Sequence, residues 1–77
     1  MDVFAERVVQ VLEPFVGRIV ADTCVRASAL AAGVTSDTLG PEHMPSLEGS
    51  VRRLLTPVAP QATIDQLLSG IREEASR

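Results

Sequence analysis

Few side chains in this sequence could carry chemistry. His43 and Ser46 stand three residues apart, near enough to serve as a base and a hydroxyl nucleophile. A triad also needs an orienting acid and an oxyanion hole in one cleft, and nothing in the sequence specifies either. His43 lies between Pro41 and Pro45, which places it in a solvent-facing loop and away from the mid-helix setting of a phosphorelay histidine. Cys24 is the single thiol. It falls on the apolar stripe of a helix with no basic residue one turn away to lower its pKa, the setting of a buried structural cysteine. Arg52 and Arg53 form a basic pair too small to specify a phosphate or carboxylate, and read as a solvated helix face. We therefore expect no catalytic residue, no bound cofactor and no metal ligand.

The composition narrows the choice further. The chain has no lysine, and all seven basic residues are arginine. This removes Schiff-base chemistry, a P-loop and a lysine general base. An arginine-only, Ala/Val-rich chain also suggests a high-GC bacterial gene. One Cys and one His cannot build a zinc or iron–sulfur centre within one subunit, nor a disulfide framework. Without Trp or Tyr, and with Phe4 and Phe15 as the only aromatics, a base-stacking platform is lacking. A net charge of −3 further disfavours nucleic acid as a partner. No apolar run approaches the eighteen residues of a membrane span. The start, MDVFAERVVQ, lacks the basic region of a signal peptide, so a cytoplasmic location is expected.

The 77 residues suffice for a single small domain, 1–77, and the periodicity is helical throughout. Asp2 is a candidate cap for a first helix with apolar residues at Phe4, Val8, Val11, Leu12 and Phe15. Pro14 either breaks this helix or kinks it into the next. The second stretch runs to about Ala32 with Val16, Ile19, Val20, Cys24, Ala27, Leu30 and Ala31 as its stripe, and Arg18, Asp22 and Arg26 spaced four apart. Gly33-Val34 is a Schellman-type stop. Residues 34–45 read as a loop with room for one helical turn. A third helix from about Pro45 carries Leu47, Val51, Leu54, Leu55 and Val58, with Glu48 and Arg52 as an i, i+4 pair. A fourth opens on Thr63 with Gln66 as a capping box and buries Ile64, Leu67, Leu68, Ile71 and Ala75. The expected fold is all-α: a small four-helix domain with short connections, the first two helices either separate or joined as one kinked at Pro14.

Two segments resemble known families. Ala29-Leu30-Ala31-Ala32-Gly33-Val34-Thr35-Ser36-Asp37-Thr38-Leu39 resembles the first half of a bacterial helix-turn-helix. That resemblance implies a helix crossing at Ala29, a turn at Gly33, inward packing of Val34 and Leu39, and a DNA-binding regulator. Gly40 and Pro41 then fall where the recognition helix should continue, and Asp37 and Glu42 would face phosphates. Asp37-Thr38-Leu39 resembles the Asp-Ser-Leu attachment motif of acyl carrier proteins, with Thr38 in place of the serine.

Apolar residues make up 45% of a chain that has no disulfide or metal to reinforce a small core. Burial against another chain would use that excess. The function expected from sequence is therefore a non-catalytic protein–protein interaction module or adaptor. It acts through an apolar helix face, with self-association as the leading mode, and the residues expected to make contact are Phe4, Val8, Val11 and Phe15. No small-molecule substrate and no membrane partner are inferred. The alternatives are the helix-turn-helix regulator and, behind it, the acyl-carrier-like protein.

Overall fold

The computed structural model describes residues 3–76. It holds three α-helices, α1 (Phe4–Ala32), α2 (Met44–Leu55) and α3 (Gln61–Ala75), with 3-10 turns at Ser36–Thr38 and Pro41–His43 between α1 and α2. There is no strand among the described residues. The all-α expectation holds, but the count is three helices and not four. Asp2, the expected first cap, lies outside the described residues.

The first two expected helices are joined as one, the kinked alternative, but the kink is not at Pro14, which sits inside α1 without ending it. The helix breaks three residues later, at Gly17, with φ 83° and ψ 166°. That conformation belongs almost exclusively to glycine. Phase explains why a break is needed here. Residues 4–16 bury Phe4, Ala5, Val8, Val9 and Leu12, and residues 18–32 bury Ala21, Cys24, Val25, Ser28 and Ala29. Nine residues separate Leu12 from Ala21, which is about two and a half helical turns. In an unbroken helix the two stripes would face opposite sides, and no single core could take both. The bend at Gly17 turns both onto one core.

The second stripe is not the one expected. Ile19 and Leu30 are more than four-fifths exposed, whereas Ala21, Ser28 and Ala29 are buried. The buried Ser28 hydroxyl donates to the Cys24 carbonyl at 2.7 Å, so it needs no outside partner. The end of α1 follows the expected Schellman pattern. Gly33 is left-handed at φ 75°, its N–H donates to the Leu30 carbonyl at 3.1 Å, and the Val34 N–H donates to Ala29 at 2.9 Å.

Leu39, which is buried, anchors the connection between α1 and α2. Leu47, Val51 and Leu55 of α2 and Ile64, Leu67, Leu68 and Ile71 of α3 complete the core, as their spacing predicts. Two local expectations are corrected. First, α3 begins at Gln61 with Pro60 at its cap, so Thr63 lies within the first turn and caps nothing. Second, Glu48 and Arg52 do not pair with each other. Arg72 of α3 donates to Glu48, with its Nε at 2.7 Å, and Arg52 reaches Asp65 of α3 at 2.9 Å. Both residues thus tie α2 to α3. On α1, Asp22 pairs with Arg26 at 2.8 Å, while Arg18 turns back across the bend to Glu6 and Glu13, 3.6 Å from each.

The accessible surface of 4588 Å² matches the roughly 4,500 Å² of a compact monomer of this mass, so the fold closes within one chain.

Glycine substitutions test the bend directly, because neither Gly17 nor Gly49 has any atom near the place a Cβ would occupy. Gly17→Ala should lower unfolding stability by about 1–3 kcal/mol through its backbone conformation alone. Gly49→Ala, in the regular interior of α2, should raise stability by about 0.5–1 kcal/mol. Urea midpoints that move in opposite directions for these two variants are the expected result.

Candidate docking cleft

The bend at Gly17 has a second effect. Residues on either side of it are lifted off the core, so Phe15 is 61% exposed and Val20 is 40% exposed. Across from them, the chain leaves α2 through Thr56-Pro57-Val58-Ala59-Pro60. The Val58 and Ala59 N–H groups donate back to the Leu55 carbonyl at 2.9 and 2.8 Å, a tight turn that pushes Val58 to 71% exposure. Between the bend and this turn lies an open cleft of about 510 Å³. Phe15, Val16 and Val20 form one wall, Val58, Ala59 and Pro60 the other, and Thr63 and Leu67 of α3 form the floor.

No lining residue is ionisable. Arg18, within the bend, is drawn toward Glu6 and Glu13. The Thr63 hydroxyl is the one polar side-chain group among the lining residues. The cleft can take up an uncharged apolar side chain or helix face and exclude water from it, a contribution of roughly 25 cal/mol per Å² of apolar surface covered. Clefts of this size and lining are typical of ligand and docking sites.

The fold divides the contact face expected from sequence. Phe4 and Val8 are buried in the core. Val11 is half-buried against α3, where a Cβ added to Gly70 would lie 3.1 Å from its Cγ1. Neither end of this face nor its middle is free except Phe15, which lines the cleft. The reason is geometric: the apolar surface of residues 4–12 is the part of α1 that α2 and α3 cover. Val20 and Val58 were not singled out from sequence. Val58 continued the α2 stripe on paper, but the helix ends at Leu55, ahead of Pro57, and leaves it outside.

The other candidates stay apart from the cleft and from one another. Nδ1 of His43 accepts from the Gly40 N–H at 3.0 Å, and the His43 N–H donates to the Gly40 carbonyl at 2.9 Å. This reciprocal pair closes the turn into α2 and fixes the imidazole as an acceptor, without a bond to Ser46. Arg52 is engaged by Asp65, while Arg53 is exposed. Among the described residues, no group of three His, Cys, Asp or Glu side chains is placed to hold a metal ion.

The helix-turn-helix resemblance holds as far as the turn. Ala29 and Leu39 are buried and Gly33 is left-handed, but short 3-10 turns follow where a recognition helix would lie. Thr38, at the position resembling the acyl-carrier serine, donates its hydroxyl to the Thr35 carbonyl at 3.1 Å and accepts from the Thr35 N–H at 3.0 Å. It serves as a local cap. No helix among the described residues is long and apolar enough to cross a membrane. Comparison with protein-family models, with curated proteins and with solved structures gave no match.

Cys24 is buried, and burial pushes its thiol up from the ordinary 9.0. The unfolded chain then loses the thiol proton at a lower pH than the folded chain. Stability is full below the unfolded thiol's range and falls as pH rises through it. With no lysine or tyrosine present, Cys24 is the only side chain that titrates between neutral pH and the arginine range. Denaturation midpoints should decline above about pH 9 in the native sequence. In Cys24→Ala that alkaline decline should disappear, and a decline that persists would place its cause elsewhere.

Proposed function

We propose that this chain is a small, non-catalytic protein–protein interaction module that docks an apolar surface of another chain in the cleft between the Gly17 bend and the Val58 turn. One observation carries the reading: Phe15, Val20 and Val58 are exposed around one uncharged cleft in a fold that is otherwise compact. Large apolar side chains gathered at a recess mark contact surfaces more often than isolated ones do. The recess offers one polar side chain, Thr63, too little to orient a small substrate, which favours a helix face or an apolar side chain as its occupant. The partner is a second copy of the chain or a larger protein for which this domain serves as an adaptor. Apolar anchors supply the contact energy, and charges at the rim of the contact restrict which partners fit.

Two substitutions separate docking from folding. Leu12→Ala removes a fully buried core side chain and should cost about 2–5 kcal/mol of stability. Phe15→Ala removes a mostly exposed one and should cost less than about 1 kcal/mol, with helicity by circular dichroism unchanged.

Molar mass by sedimentation equilibrium over a wide concentration range then tests the cleft. If copies dock there, the native chain shows a concentration-dependent rise in mass, and Val58→Asp abolishes that rise while its thermal midpoint stays within a few degrees. A native chain that remains monomeric throughout overturns self-association. For a separate partner, a photocrosslinking residue at position 58 should capture one defined protein in the native cell, and the same residue at position 53 should not. Equal capture at both positions would overturn the docking role of the cleft.

A further inference from the structure

No further inference is drawn: the strongest candidate, the uncharged cleft between the Gly17 bend of α1 and the Val58 turn, belongs to the site already described, and nothing in the structure shows whether a second copy or a different chain covers it.

Discussion

The phase relation within α1 governs the rest of the structure. Its two buried stripes, Phe4 to Leu12 and Ala21 to Ala29, are half a turn out of step, and one hydrophobic core must receive both. A straight helix would leave one stripe in water. The bend is concentrated in one residue, Gly17, and the freedom of glycine at positive φ makes it inexpensive. Pro14 weakens the helix just ahead of the bend by removing a backbone donor, but it does not set the bend's location. Once both limbs face inward, α2 and α3 pack across them. The Arg72–Glu48 and Arg52–Asp65 pairs then tie these two helices together at the surface.

The cleft follows from the same geometry. A bent helix cannot keep the residues at its corner in the core. Phe15 and Val20 therefore remain near the surface while Leu12 and Cys24, one turn away on either side, are fully buried. Pro57 and Pro60 force a second corner between α2 and α3, with Val58 at its tip. The recess lies between two corners made for structural reasons, and its lining is uncharged because Arg18, the one charged residue of the bend, is held by Glu6 and Glu13.

Much of the fold was legible in the sequence where one rule acted alone. The stripe of α2 as far as Leu55, the core residues Ile64, Leu67, Leu68 and Ile71 of α3 and the Gly33-Val34 stop depend on local spacing and were read correctly. Pro14 was read as either a break or a kink, and the long α1 is the kinked form; the place of the kink, Gly17, and the stripe of residues 16–31 were missed, because both readings drew on residue type and passed over phase. Proline outranked glycine as a breaker, and Ile19 and Leu30 outranked Ala21 and Ala29 as core. The half-turn offset between the stripes was present in the spacing, but only a choice of small residues as core reveals it. The Glu48–Arg52 pair fails for a different reason. A partner on another helix won over the i, i+4 neighbour, and sequence spacing carries no information about that competition. As for the site, Phe15 was named, but Val20 and Val58 depend on two corners meeting in space.

The cleft draws its walls from residues near 15–20 and 58–60 and its floor from residues 63 and 67, segments far apart along the chain. It therefore exists only when α1 is packed against α3 and the turn that precedes it, and its occupancy is thermodynamically linked to folding. An occupant that binds the native state alone, present at a hundred times its dissociation constant, would add about 2.7 kcal/mol to the stability of the chain. For a domain of this size, with a core worth only about 3–5 kcal/mol, that is a large fraction of the whole. The abundance and lifetime of the free chain would then depend on the supply of whatever fills the recess.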